Sequence, residues 1–168
     1  MTEQECLDLL ASDGFGHWLA GFIDGEGTFI VRRCGRGQQK TMGPSSYQPE
    51  FRLKVRADDR AVLEDAVRRT EAGYLKEASP GRGYTGHPQV EWIVCRKVHV
   101  ARLVAGLDRF PLRAKKARDY AVWREAVTVW AETGHVPNRG RPRGSDPHPN
   151  QLRLAALKER IQEVRKFT

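Results

Sequence analysis

The sequence predicts an α+β fold in which a helix, two strands, a helix, two strands and then further helices follow in order. Three observations carry that prediction. Residues 51–56 alternate strictly, with Phe51, Leu53 and Val55 apolar and Arg52, Lys54 and Arg56 cationic, which is the period of a half-buried strand. Segments 59–71, 97–108 and 112–132 repeat apolar residues at helical spacing. A chain of 168 residues is also long enough for one sizeable core.

Taken in order, residues 1–12 hold Cys6-Leu7 and Leu9-Leu10, enough for one turn of helix or a loosely docked lead-in. Asp13 suits the N-cap of a helix running to about Asp24. Residues 27–34 are rich in β-branched and aromatic side chains and read as the first strand. Cys34–Pro49, with its Gly, Gln, Ser and Pro, reads as the loop before the alternating second strand. Asp58 or Asp59 can cap the helix over 59–71, whose Val62, Leu63, Ala66 and Val67 share a face. Gly73–Ala78 and Gln89–Arg96 form the next strand pair, joined by the turn-forming run 79–83. Val100, Leu103, Val104 and Leu107 then mark one helix, and Tyr120, Trp123, Val127 and Trp130 mark a core-facing stripe on another. Residues 1–133 are thus one core domain. Residues 134–149, with four prolines, three glycines and three arginines, are a linker or basic arm. Residues 150–168 carry a last helix with Leu154, Leu157, Ile161 and Val164 at helical spacing, packed on the body or laid against a partner.

The net charge is +8 and the pI near 9.8, with 21 arginines to 8 lysines. Such a surface attracts nucleic acid or an anionic membrane, and arginine suits bidentate contact with phosphate and guanine. No stretch approaches the roughly 20 apolar residues of a membrane span. The acidic N-terminus does not resemble a signal peptide, which points to an intracellular protein. Cys6, Cys34 and Cys95 are too few and too scattered for a zinc site or disulfide framework, and fit a reducing compartment.

The most informative stretch is Leu19-Ala20-Gly21-Phe22-Ile23-Asp24-Gly25-Glu26-Gly27. Gly21 and Gly25 stand four apart on one helical face. A helix interior tolerates glycine at a cost of about 0.5–1 kcal/mol, so the pair argues for close approach of another helix backbone. Two acids alternating with glycine then emerge at the helix end, where they can hold a divalent cation.

This run resembles the motif of the LAGLIDADG homing endonucleases, departing from it at Phe22, Gly25 and Glu26, and the resemblance extends over about residues 13–130. It implies an αββαββα fold whose curved antiparallel sheet forms a saddle on double-stranded DNA. Because the motif occurs once, it implies a homodimer packed through Leu19, Gly21, Phe22 and Gly25, acting on a long pseudo-palindromic site. The implied activity is a staggered double-strand break by Mg²⁺-dependent phosphodiester hydrolysis. Glu26 aligns with the catalytic acid and metal ligand, and the Gly25 carbonyl with a second ligand. Lys97 and Arg60 align with basic residues of the active-site pocket. Asp24 is left between a structural role and the metal environment.

Base and phosphate contacts should come from outward strand and loop side chains, for which Arg32, Gln38, Gln39, Lys40, Arg52, Lys54, Arg56, Lys76 and Arg82 are the candidates. The chain contains no acid-x-Lys element and no HNH-like histidine spacing, which sets other nuclease classes aside. The remaining alternative is a cleavage-deficient DNA-binding regulator or RNA maturase on the same scaffold.

Overall fold

The computed structural model describes residues 14–34, 46–78, 86–133 and 148–166, together with Gln4, Glu5, Asp8 and Ala11, which are helical. The predicted element order is present. α1 spans Phe15–Glu26, β1 Gly27–Cys34 and β2 Ser46–Arg56; a short 3-10 turn at Ala57–Asp59 leads into α2 at Arg60–Thr70. β3 (Tyr74–Ala78), β4 (Gln89–Val94), α3 (Lys97–Arg109), α4 (Lys116–Glu132) and α5 (Pro149–Lys166) follow. The four strands form one sheet in the order β1-β2-β4-β3, with β4 antiparallel to both β2 and β3. The chain divides into two compact units, Met1–Phe29 with Glu50–Ala117, and Ile30–Pro49 with Arg118–Thr168.

In the first unit the alternation of residues 51–56 does what it predicts. Phe51 and Leu53 are buried, opposite Val94 and Trp92 of β4, while Lys54 and Arg56 are exposed. Phe29, Phe51 and Trp92 are fully buried and pack in series, the first pair tilted and the second edge-to-face, with centroids 5.3 and 5.4 Å apart. Burial of such a ring contributes roughly 2–3 kcal/mol. Trp92 keeps its polar handle satisfied, because its indole N–H donates to the Ala72 carbonyl at 2.7 Å. Leu63, Ala66, Val100 and Leu103 from α2 and α3 complete this core.

Several boundaries shift for identifiable reasons. Asp59 stands at the N-cap of α2 but makes no side-chain cap bond, and Asp58 pairs with Arg56 at 2.7 Å instead. β2 starts well before the alternating run, at Ser46, whose hydroxyl donates to the Cys34 carbonyl. α4 starts at Lys116 rather than near residue 112, since the amides of Arg113 and Ala114 are taken by a side chain of α1. Asp13, the turn at 79–83 and the linker up to residue 147 lie outside the described residues.

In the second unit, Trp123 is fully buried and its indole N–H donates to the Ile30 carbonyl at 3.2 Å. The stripe of α4 is rotated from the expected one. Tyr120 and Trp123 are buried, but Val122, Ala126 and Val129 complete the buried face, while Val127 and Trp130 are only half-buried. Leu154, Leu157 and Ile161 of α5 are buried as well. Ion pairs Arg153–Glu132, Arg160–Glu125 and Arg165–Asp119 tie α5 to α4, so the last helix packs on its neighbour. Pro149 opens α5 in the first-turn position where its missing N–H is harmless, and His148 Nδ1 accepts from the Asn150 amide.

Gly73 carries the strictest backbone constraint, with φ at 80° and a hypothetical Cβ only 2.4 Å from the Ile93 carbonyl oxygen. Its N–H donates to His99 Nδ1 at 3.1 Å, which requires an imidazole with that nitrogen unprotonated. Burial first, then the charges of Arg96 and Arg102, hold the His99 pKa below its ordinary value of 6.5. A group whose folded pKa is depressed in this way favours the folded state while neutral. The unfolded chain takes up the proton first as pH falls. Stability should therefore be fully present above pH 6.5 and decline as pH drops below it. Thermal melts from pH 7.5 to 5 are expected to show that decline, and His99→Gln is expected to flatten it.

Candidate active site and nucleic-acid surface

The apolar residues of α1 explain how its end is presented. Phe15, Leu19, Ala20 and Ile23 are buried on one face. At the junction with β1, the Gly27 N–H donates back to the Ile23 carbonyl and the chain turns directly into the strand. A Cβ at Gly27 would lie 2.7 Å from that carbonyl oxygen and 2.9 Å from the Phe51 ring. Only glycine lets the helix end sit so tightly against β2.

The opposite face of α1 is open. At Gly21 and Gly25 an added Cβ would meet nothing within 4 Å. Trp18 is 45% exposed and stacks on half-buried Phe22, with ring centroids 5.2 Å apart. Trp18, Gly21, Phe22 and Gly25 follow helical spacing and form one stripe. Leu19 is not part of it. At 4% exposure it faces the chain's own core, and Trp18 takes the place expected of it.

The last turn of α1 is clipped to the segment before α4. Asp24 Oδ2 accepts the backbone N–H of Arg113 at 2.7 Å and of Ala114 at 3.0 Å. Its other oxygen, Oδ1, is buried without a hydrogen-bond partner. Lys116 Nζ donates to the Gly25 carbonyl at 2.7 Å. Glu26 is exposed and makes no hydrogen bond or ion pair among the described residues. The helix end therefore gathers a free carboxylate, a carbonyl that already faces a cation, and an orphaned carboxylate oxygen. An all-oxygen set of this kind fits a hard divalent ion, which needs only one or two carboxylates beside phosphate oxygens and water. No cluster of three His, Cys, Asp or Glu occurs among the described residues.

The outer face of the first unit's sheet is read from its register. Arg52, Ile93 and Tyr74 form one cross-strand row, Lys54, Glu91 and Lys76 the next, and Arg56, Gln89 and Ala78 a third. This face is less uniformly cationic than the β2 sequence suggests. Arg52 Nε donates to Glu50 at 2.5 Å and its NH1 reaches both oxygens of Glu91 at 3.4 Å. Glu50 is 1% and Glu91 8% exposed. Partial burial opposes the Arg52 charge, but the hydrogen bond to Glu50 and the charges of Glu50 and Glu91 hold its pKa above the ordinary arginine value. Lys54 and Lys76 are exposed and have no ion pair among the described residues.

A family model described as LAGLIDADG endonuclease matches residues 19–127. The chain belongs to the LAGLIDADG endonuclease family. In Schizosaccharomyces pombe, the protein described as "Probable intron-encoded endonuclease Cox1-I1b" is 28% identical over 116 residues, which are 68% of this chain and 27% of that protein. The chain spans about a quarter of the length of the curated relatives it matches. Among solved structures, the homing endonuclease I-TnaI superposes with a TM-score of 0.66 at 19% identity, over 90% of this chain and 95% of its own. The archaeal intron-encoded homing endonuclease I-Vdi141I, complexed with DNA, gives 0.68 at 21% identity, over 91% and 85%. At these identities the structural likeness is one of fold.

On this LAGLIDADG scaffold the predicted site residues fall into separate groups. Gly25 and Glu26 stand together at the motif helix end. Lys97 opens α3, rather than ending β4, and is exposed. Arg60 opens α2, where it bonds Glu64 at 2.8 Å and also Glu77; these two carboxylates raise its pKa. Among the described residues Glu26 has no hydrogen bond or ion pair to either Lys97 or Arg60. Arg52 is committed to Glu50 and Glu91, and Arg56 to Asp58. Arg32 is exposed on β1. Gln38, Gln39, Lys40 and Arg82 lie outside the described residues. Sequence reasoning missed Lys116, and it missed Tyr74, which is 48% exposed two residues from Lys76 on the same face. The period of two around Lys76 was a signal for Tyr74; only the basic run 113–116 hinted at Lys116.

Because Asp24 accepts two backbone amides with an ionised oxygen, Asp24→Ala is expected to destabilise the fold by about 1–3 kcal/mol in urea denaturation. Amide exchange should accelerate specifically at Arg113 and Ala114. Unchanged protection there would show that the clip does not form in solution.

Proposed function

We propose that this chain is a site-specific homing endonuclease, which works as a homodimer and makes a staggered double-strand break in a long pseudo-palindromic DNA site by Mg²⁺-dependent hydrolysis. The observation that carries this reading is the Glu26 carboxylate at the end of the motif helix, exposed and without a polar partner among the described residues, beside the Gly25 carbonyl. Glu26 and the Gly25 carbonyl would hold a divalent ion, which would supply Lewis-acid chemistry for hydrolysis of the phosphodiester. Glu26 would contribute the negative charge that holds such an ion at the helix end. Asp24 holds the helix end rigid, so that the carboxylate and carbonyl keep a fixed separation. Lys97 and Arg60 are assigned to the surrounding basic pocket, where their charge would offset that of the phosphates.

The open stripe Trp18-Gly21-Phe22-Gly25 is the face assigned to the second copy. Apolar side chains flanking a bare backbone suit a close helix pair, and a two-fold pairing would bring two Glu26 carboxylates to one centre, one for each strand. The Lys54–Glu91–Lys76 row, with Tyr74 beside it, is assigned to the major groove. Its two lysines contact phosphate or guanine, and Arg52, held in place by two acids, meets the DNA with little loss of side-chain freedom.

Two outcomes are expected. Glu26→Gln should reduce double-strand cleavage of a selected target by roughly 10²-fold or more in Mg²⁺ while duplex binding persists. Binding by the wild type without any cutting would leave a regulator or maturase in place of the nuclease. Gly21→Leu should leave the monomer's thermal stability intact, because its Cβ enters open space, yet convert a dimer to monomer in sedimentation. A dimer unaffected by that substitution would move the interface elsewhere.

A further inference from the structure

We infer that Lys116 is a resident cation on the Gly25 carbonyl, which it occupies in the DNA-free protein and must surrender before a divalent ion can load. The inference rests on reading Gly25 and Glu26 as metal ligands. The last carbonyls of a helix have lost their intrahelical donors and carry the negative end of its dipole, so the Gly25 oxygen attracts a positive group. Lys116 meets that demand with a charge-assisted bond of 2.7 Å. Its reach is set by the chain, since Asp24 fixes the Arg113 and Ala114 amides just ahead of it at 2.7 and 3.0 Å.

Two cations cannot share this oxygen comfortably. Mg²⁺ sits about 2.1 Å from its ligands, so an ammonium on the same oxygen lies within about 5 Å of the ion. Like charges at that separation repel strongly in a partly dehydrated site. Lysine has a flexible stem and three rotatable donors, and it can move to a phosphate oxygen when DNA arrives. Exchange of the ammonium for the metal is thereby coupled to arrival of the substrate. The free protein holds metal weakly, and the DNA complex holds it well.

The test is Mn²⁺ titration of the full chain without DNA, followed by electron paramagnetic resonance of the free ion. Lys116→Met and Lys116→Gln are both expected to bind Mn²⁺ roughly tenfold tighter than wild type. Lys116→Arg, which keeps the charge, should remain as weak as wild type, and Glu26→Gln added to Lys116→Met should remove the gain. Unchanged or weaker affinity in both neutral variants overturns the inference, while Glu26-dependent binding in wild type would leave the metal reading standing. Absence of Glu26-dependent Mn²⁺ binding in every variant, with target DNA as well as without it, overturns both.

Discussion

The end of α1 has two tasks that pull against each other. It must terminate a helix whose last carbonyls lack donors, and on the proposed reading it must leave oxygens within reach of an incoming cation. Asp24 reconciles them by spending one oxygen on the amides of Arg113 and Ala114. That bond locks the helix end to the segment before α4, so Glu26 need not be covered to be held still, while Lys116 bonds the Gly25 carbonyl. Gly27 permits the arrangement from the other side, by letting the chain pass into β1 against Phe51 without a side chain in the way. The helix end is thus held by its neighbours while the Glu26 carboxylate stays exposed.

Much of this was legible in the sequence. The alternation of residues 51–56 located β2 and its two faces, and the helical spacing of Leu63, Ala66, Val100 and Leu103 located the core side of α2 and α3. The motif run gave the family. What the sequence could not carry were contacts across long separations. Lys116 lies 91 residues from Gly25, and nothing local to either predicts their meeting. Boundaries failed where a side chain from elsewhere took backbone groups, as at the start of α4. The stripe on α4 was misjudged because Trp130 and Val127 share the spacing of Trp123, yet the buried face is set by what packs on it.

The sheet surface shows why formal charge is a poor guide to local charge. Arg52, Lys54 and Arg56 alternate along one strand, yet Glu50 and Glu91 are buried among them. A buried carboxylate is unstable without a partner, and Arg52 is that partner. The guanidinium is therefore part of the folded structure as well as of the surface. Lys54 and Lys76 on the same face stay exposed, with no ion pair among the described residues.

The ladder between α4 and α5 has a different consequence. Arg153–Glu132 and Arg160–Glu125 are exposed pairs, each worth about 0.2–1 kcal/mol, while Arg165–Asp119 is part-buried. Their order, Arg153 with Glu132, Arg160 with Glu125 and Arg165 with Asp119, runs antiparallel along the two helices. All three arginines lie on one helix and all three acids on the other, so each helix brings a single sign of charge to the seam. Sliding α5 by one turn would put the ladder out of step. Exchanging the signs wholesale would preserve it, which makes this hairpin a part of the chain that can be recoded without touching the motif helix.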